Sequence, residues 1–277
     1  MSRAVAGDEV GEQPALFVSA EMDDVEVWAV AGGTAVVFSA PAPDRDQNQD
    51  AAAVVRIDDD TALLAVADGV GGERGGARAA ELAVTTLALS VTRRQANASL
   101  RGAVLDGFEA ANRAVRDSAG SGMTTLAALT VERRSVRPYH VGDSAVLLFG
   151  QRGRLKLQTV SHSPVGFALE AGILDEEEAM HHADRHVVSN VLGSPDMRIE
   201  IGAARRLAPH DTAVVASDGL FDNMHTEEIV EMARTGTPSE AASRLVDTAR
   251  RRMQQDGADR PSKPDDLTLV LFRPSRG

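Results

Sequence analysis

Residues 61–91 read TALLAVADGVGGERGGARAAELAVTTLALSV and carry the chain from strand into helix. The run 62–67 is short, Ala/Val-rich and closed by Asp68-Gly69, as a strand should be. The run 76–91 is rich in Ala and Leu and reads as a helix. Between them GGERGG (71–76) resembles a phosphate-cradling loop, but no Lys-Ser/Thr follows, so it fails as a P-loop. Gly75 and Gly76 are better suited to letting the helix start close to the sheet. Upstream lie further Ala/Val-rich strand signals at 25–30, 34–39 and 52–57. Downstream Ser99 caps a second helix whose apolar stripe is Leu100, Val104, Phe108, Ala111 and Val115. Strand signals return at 124–131, 136–141, 145–149 and 155–160, the last two joined as a hairpin through Gln151-Arg152-Gly153.

The remainder runs lid, strands, two helices and a strand, with no internal repeat. Residues 161–195 are polar and weakly helical, broken by Pro164 and Gly172, and a segment this long between strands reads as a lid or binding loop. Strands are expected at 197–207 and 212–216, a helix at 226–234, and a helix from Thr237-Pro238-Ser239-Glu240 to about Gln255. A closing strand is expected at 266–272. Runs of strands alternating with runs of helices do not fit a βαβ parallel sheet. They fit layered α+β, with helix pairs covering antiparallel sheets. Residues 1–24 are polar and acidic and read as a loose arm, although Ala15-Leu16-Phe17-Val18 could add an edge strand.

Composition removes several function classes. The 277 residues suffice for one large domain. Acidic residues outnumber basic ones 41 to 29, giving a net charge of −12, the wrong balance for gripping a nucleic-acid backbone or an anionic membrane surface. The absence of cysteine excludes disulfide frameworks, thiolate zinc sites and cysteine nucleophiles. No apolar run approaches about 18 residues, and the N-terminus lacks the basic-then-apolar pattern of a secretory signal, so a cytoplasmic location is expected. Lys156 and Lys263 are the only lysines, a skew toward Arg that reads as genome composition. Aromatics are 3% of the chain, so the core must be aliphatic. Trp28 and Tyr139 read as core or sheet packing, and Met123 as buried filler.

Carboxylates gather at strand ends. Asp68 closes ALLAVADG, Asp218 closes TAVVASDG, and Asp143 follows the strand VRPYHV. Asp50 precedes a strand, and Asp265 and Asp266 open the last one. Clustered carboxylates cannot all ionise without a compensating cation. With no Cys and no His at ligand spacing beside them, that cation should be hard, Mg²⁺ or Mn²⁺. Two such ions would lower the pKa of a bound water and clamp an in-line displacement at phosphorus. Arg45, five residues before Asp50, could hold phosphate oxygens with its forked donors. His181, His182 and His186 read more simply as exposed imidazoles than as a zinc site. His140 reads as packed structurally, and His162 as a candidate for assisting protonation. Asp175–Glu178 reads as the charged first turn of a helix.

Six ordered motifs carry a resemblance: Arg45-x-x-Asn48-Gln49-Asp50, Ala67-Asp68-Gly69-Val70-Gly71-Gly72, Ser121-Gly122-Met123-Thr124-Thr125, Val141-Gly142-Asp143-Ser144, Ser217-Asp218-Gly219-Leu220-Phe221-Asp222 and Asp265-Asp266-Leu267-Thr268. From about Val25 to Phe272 the chain resembles the metal-dependent Ser/Thr protein phosphatases of type 2C in their bacterial form. The resemblance implies a four-layer α-β-β-α sandwich of two central, mostly antiparallel sheets flanked by helix pairs, with residues 25–273 as the catalytic domain and 161–195 as a mobile flap. It also implies that Asp50, Asp68, the Gly69 carbonyl, Asp218 and Asp265 hold two core Mn²⁺ or Mg²⁺ ions, with Asp68 bridging. Asp143 with Asp218 would form a third, weaker site, and Arg45 would bind substrate phosphate. The sequence departs from the family's pattern at Val70, where animal relatives carry His, and at Ala145, Ser161 and Asp266, where Arg, Asp and Asn are common.

The function expected on this resemblance is hydrolysis of phosphoserine and phosphothreonine in proteins, with Asp50, Asp68, Asp218 and Asp265 as the catalytic set. The expected partner is a phosphoprotein substrate of a Ser/Thr kinase, and the expected state a monomer. One rival is a non-catalytic regulator that keeps the fold and binds a phosphoprotein or signalling partner; a lost ligand would favour it, and none is lost. A second rival is a two-metal nuclease or phosphodiesterase, disfavoured by the acidic charge.

Overall fold

The computed structural model describes residues 13–70, 72–95, 97–255 and 261–275. Every strand pair is antiparallel, and the strands form two sheets. The first contains β1 (Ala15–Val18), β4 (Asp50–Arg56), β5 (Thr61–Val70), β7 (Leu126–Glu132) and β8 (Ser135–Val141) in that spatial order; β6 (Met123–Thr124) pairs with β5, and β11 (Glu200–Ile201) and β12 (Arg205–Arg206) pair with β8. The second is ordered β10 (Leu155–Gln158), β9 (Ala145–Phe149), β13 (Thr212–Ala216), β14 (Leu267–Pro274), β3 (Gly33–Ala40), β2 (Glu26–Val30).

The strands read as continuous apolar runs because both of their faces are covered. In β5 Leu63, Ala65 and Ala67 face one core while Ala62, Leu64 and Val66 face another. In β13 Val214 and Ala216 face outward to helices, and Ala213 and Val215 face the opposing sheet. Three stacked cores result, and they define four layers. Helices α1 (Glu73–Thr92) and α2 (Leu100–Asp117) cover the first sheet. The two sheets pack on each other through Ala and Val. Helices α6 (Thr226–Ala233) and α7 (Pro238–Met253) cover the second sheet. Two short helices, α3 (Pro164–Glu170) and α4 (Glu176–Met180), lie in the 161–195 segment, and α5 (Asp218–Phe221) follows β13.

Local signals place the helix ends. Ser99 Oγ accepts from Gly102 N, and Thr237 with Glu240 forms a full capping box. Asp175 caps α4, which opens on Glu176, Glu177 and Glu178. The strand at Ala15–Val18 forms on the sheet edge and buries Phe17 between the sheets; residues 1–12 lie outside the described residues. Trp28, on the edge strand β2, packs edge-on against Phe17 with ring centroids 6.2 Å apart.

Two expectations are corrected. The strand expected at 197–207 is two short pieces, β11 and β12. Pro138 on the facing strand has no N–H to donate, and Gly202 to Ala204 bulge opposite Arg137 and Pro138 before pairing resumes. Met123 is not buried filler: it is 41% exposed, because β6 lies at the sheet's end. Among the described residues no helix is long and apolar enough to cross a membrane.

Candidate metal centre and active site

The two sheets bring their acidic strand ends to one place. In the first sheet Asp50 at the start of β4 stands directly opposite Asp68 near the end of β5. Like charges in that register destabilise a sheet, so the pair is relieved either by a bound cation or by a retained proton. In the second sheet Asp218 follows β13 and Asp265 precedes its ladder partner β14. Asp143 lies in the turn between β8 and β9, where the chain passes from one sheet to the other. The fields of these groups overlap: Asp68 feels the charges of Asp218, Asp50, Asp143 and Asp265.

Neighbouring groups fix their positions. Ser217 Oγ donates to Asp50 Oδ2 at 2.7 Å and accepts from Thr268 N at 3.1 Å. Asn48 Oδ1 accepts from Asp50 N at 2.9 Å, while its amide donates to Ala20 O and Ser39 Oγ. Asp68 N donates to Thr125 Oγ1 at 3.0 Å, and the Asp68 carbonyl accepts from Thr125 N and Thr124 Oγ1. Gly69 pairs with Thr124 of β6 and touches Gly76 of α1 so closely that a Cβ on it would lie 2.3 Å from the Gly76 carbonyl group. The helix starts against the sheet, as expected of Gly76.

Buried carboxylate oxygens are left without partners. Asp50 Oδ1, Asp143 Oδ1 and Asp218 Oδ1 are shielded from solvent and accept no hydrogen bond from any described residue. Three such oxygens from three distant segments are a costly arrangement unless a ligand completes them. Hard oxygen donors without thiolate or imidazole suit Mg²⁺ or Mn²⁺, so these residues fit the expected ions.

The electrostatics agree. Burial, then the neighbouring acids, hold the Asp50 and Asp68 carboxyls well above the usual carboxylate range. Burial, with the charges of Asp218 and Asp222, pushes Asp143 up to about 7. Burial and Asp218 push Asp222 up to about 6 against the pull of Lys263. Asp218 lies below its ordinary value: burial raises it, but the Lys263 ammonium and hydrogen bonds outweigh that. Burial and Asp218 raise Asp265 in spite of Lys263 and Arg45.

Arg45 sits at the edge of this cluster, with Nη1 3.2 Å from Asp265 Oδ1 and 3.5 Å from Asp266 Oδ2, and its side chain is 35% exposed. Asp266 is a clamp that sequence reasoning missed. Its buried carboxylate accepts from Ala42 N and Gln49 N, each at 2.8 Å, and so closes the loop that carries Arg45. Asp266→Ala leaves both N–H groups unpaired, which costs about 2 kcal/mol or more. The expected result is that much loss in urea unfolding, with a higher KM for phosphopeptide than for wild type. An unchanged unfolding midpoint would remove the clamp.

Sequence reasoning also missed that Lys263 and Asp222 meet at this cluster. Lys263 Nζ lies 2.9 Å from Asp218 Oδ2, 2.6 Å from Asp222 Oδ2 and 3.0 Å from Asp265 Oδ2. The one available signal was the rarity of lysine. Both lysines are ion-paired, Lys156 with the buried Asp211 at 2.6 Å.

The flap segment lies beside the cluster. A cavity of about 480 Å³ has Asp143, Asp218 and Asp222 on one wall and Val165, Leu169 and Met180 of α3 and α4 on another. Glu176 Oε1 accepts from Thr226 N at 2.7 Å, tying α4 to the start of α6. His162 anchors the segment's beginning: its N–H donates to Gly142 O, and its carbonyl accepts from Ser189 N. His162 and Glu200 bring ligand-type atoms within 4.8 Å of the His140 ring, but this group does not suit a metal. His162 Nδ1 accepts from Gly142 N at 3.1 Å and from Asn190 Nδ2 at 2.9 Å. Its proton therefore sits on Nε2, which faces Glu200 Oε2 at 3.2 Å and has no lone pair to give. The Asn190 orientation is fixed by its bonds to the Arg198 backbone. His140, stacked on His162 at 4.3 Å, is buried with Nε2 bonded to Val160 O, the packed role expected of it.

Comparison with known proteins gives the family and the fold. The sequence model described as "Protein phosphatase 2C" matches residues 43–256. A "Putative protein phosphatase 2C-type" of Streptococcus pyogenes is 31% identical over 180 residues, 61% of this chain and 71% of the relative. "Serine/threonine protein phosphatase PstP" of Mycobacterium tuberculosis is 29% identical over 215 residues; the match covers 76% of this chain and only 40% of that protein. The crystal structure of the M. tuberculosis phosphatase superposes with a TM-score of 0.72 at 25% identity, covering 87% of this chain and 98% of that one. A structure titled as the catalytic domain of PstP "in complex with 2 Manganese ions" superposes with a TM-score of 0.70 at 25% identity, again covering 87% and 98%. With residues 43–256, most of its length, matched by the family model, the chain belongs to the protein phosphatase 2C family of Ser/Thr phosphatases, and is a hydrolase of that class.

Proposed function

We propose that this chain hydrolyses phosphoserine and phosphothreonine in proteins at a dinuclear Mn²⁺ or Mg²⁺ site. The observation that carries the reading is the trio of unpartnered buried oxygens on Asp50, Asp143 and Asp218. Asp50, Asp68, the Gly69 carbonyl, Asp218 and Asp265 would hold the two core ions, with Asp143 and Asp218 available to a third. Bound there, the ions supply a water of lowered pKa and neutralise the phosphoryl oxygens. Ser217 keeps Asp50 oriented through its 2.7 Å bond. Arg45, a third exposed and held by Asp265 and Asp266, turns its remaining guanidinium donors to the substrate phosphate. Val70 offers no proton where animal relatives have His. The His162 ring is buried and fully bonded, so the leaving oxygen takes its proton from water. The proposed ligand acids are committed to the ions and no cysteine is present, so this reading has water attack phosphorus directly, with no phosphoenzyme.

The substrates on this reading are proteins phosphorylated by a Ser/Thr kinase, met by a cytoplasmic monomer whose catalytic domain is residues 25–273 extended by β1. The cavity beside Asp143 and Asp218 would take side chains flanking the phosphorylated residue. The decisive assay is hydrolysis of p-nitrophenyl phosphate and of a phosphothreonine peptide with Mn²⁺, with and without EDTA. Turnover with Mn²⁺, complete loss in EDTA and recovery on adding Mn²⁺ are expected. Peptide left intact under all three conditions would favour a non-catalytic regulator, and faster cleavage of bis(p-nitrophenyl) phosphate or DNA would favour a phosphodiesterase.

A further inference from the structure

Lys263 is aimed into the acidic cluster by its own backbone. Its N–H donates to Asn223 Oδ1 at 2.9 Å, and Asn223 Nδ2 donates back to its carbonyl at 2.8 Å. Asn223 is fully buried, and its amide also donates to Gly219 O at 2.9 Å. The segment before Asp265 is therefore pinned to the turn after Asp218, and the side chain has a short, fixed reach. Its ammonium meets one oxygen from each of Asp218, Asp222 and Asp265, at 2.9, 2.6 and 3.0 Å.

Two of those three carboxylates belong to the proposed ligand set, and Asp222 does not. An ammonium and a divalent cation draw on the same lone pairs and repel one another at contact distance. We infer that Lys263 is a tethered competitor for the metal position shared by Asp218 and Asp265. A divalent ion taking those oxygens displaces the ammonium, which keeps Asp222, its nearest partner, as a resting place. Lys263 thereby raises the Mn²⁺ concentration at which this position fills and compensates the acids when it does not. An Arg at 263 would keep the charge, whereas Met or Gln would remove it while keeping much of the stem. The inference rests on the metal reading of Asp218 and Asp265.

The test is isothermal titration of Mn²⁺ into the metal-stripped full chain, comparing wild type with Lys263→Met, Lys263→Gln and Lys263→Arg. The two neutral variants should bind at least one equivalent about tenfold more tightly, within the usual range for coupled sites, and Lys263→Arg should stay near wild type. Thermal melting of the same samples gives a second readout. Before Mn²⁺ is added the neutral variants should melt below wild type, because uncompensated buried acids remain; with saturating Mn²⁺ they should gain more than wild type does. Wild-type affinity in both neutral variants, or weaker binding, overturns the inference and leaves the metal reading standing. If no protein takes up Mn²⁺, the metal reading falls and this inference falls with it.

Discussion

Asp68→Asn should lower turnover of phosphopeptide by about three orders of magnitude and, in the same protein stripped of metal, raise the melting temperature. The loss follows from the proposed ligand role: a bound metal would supply several kcal/mol of transition-state stabilisation, and each tenfold in rate is about 1.4 kcal/mol. The gain in stability follows from register. Asp68 stands opposite Asp50 in adjacent strands and feels Asp218, Asp143 and Asp265 as well. Its carboxyl is held well above the usual range by burial first and those charges second. The folded chain therefore keeps a proton that the unfolded chain has already released, and stability falls as pH rises from the ordinary carboxylate value of 3.8 toward the raised one. An Asn amide has the same shape and no such dependence. Its advantage should be present at pH 8 and fade as pH drops to the ordinary value. Relief of one close like-charge contact is worth about 1 kcal/mol, or about 2–4 °C in a chain of this size. Melting curves at pH 5 and pH 8 with EDTA, beside a Mn²⁺-dependent assay, test both halves. Activity within tenfold of wild type would remove Asp68 from the site, and a lower melting temperature at pH 8 would mean the carboxylate is structurally needed.

The strands that carry these acids were legible in the sequence. Asp68 and Asp218 end runs that are apolar on both faces, so their strands were legible, and an acid at the end of a buried strand has few structural uses. The helix ends were legible for the same local reason: Ser99 and Thr237 cap through bonds that span three residues. What stayed hidden depends on contacts across the chain. Nothing in the spacing of Lys263 says that its ammonium turns back to Asp218, 45 residues away in sequence. Asp266 looked like a substituted Asn beside a ligand; its work is to accept two N–H groups from the loop at 42–49. The segment 197–207 has a strand's composition at its start, but the Pro138 opposite it breaks the ladder, and a partner's residue cannot be read from the strand itself. Met123 has a core residue's chemistry on a two-residue strand at the rim.

Gly76→Ala reverses the sign that helix propensity assigns to it. Gly76 lies in the first turns of α1 at a backbone angle open to any residue, and Ala in place of Gly inside a helix normally stabilises by about 1 kcal/mol. Here a Cβ would stand 2.4 Å from Gln49 Oε1, 2.8 Å from the Gly69 carbonyl oxygen and 2.9 Å from the Gly69 carbonyl carbon. The Gln49 amide can swing aside. The Gly69 backbone cannot, because it is laddered to Thr124 in β6 and follows Asp68, whose own N–H and carbonyl are bonded to Thr125. Relieving the overlap means moving the helix off the sheet or tilting the Gly69 carbonyl. Overpacking of this kind typically costs about 1–3 kcal/mol, enough to exceed the propensity gain. The same shift disturbs a proposed ligand oxygen. The expected result is a lower midpoint in urea together with weaker Mn²⁺ uptake by titration, the two losses appearing in one variant. Gly102→Ala in α2 is the control: its Cβ would meet only Ser99 Oγ at 3.0 Å, so propensity should win there and Mn²⁺ binding should not change. If Gly76→Ala were as stable as wild type and bound Mn²⁺ equally well, the close seating of α1 on β5 would have no part in building the site.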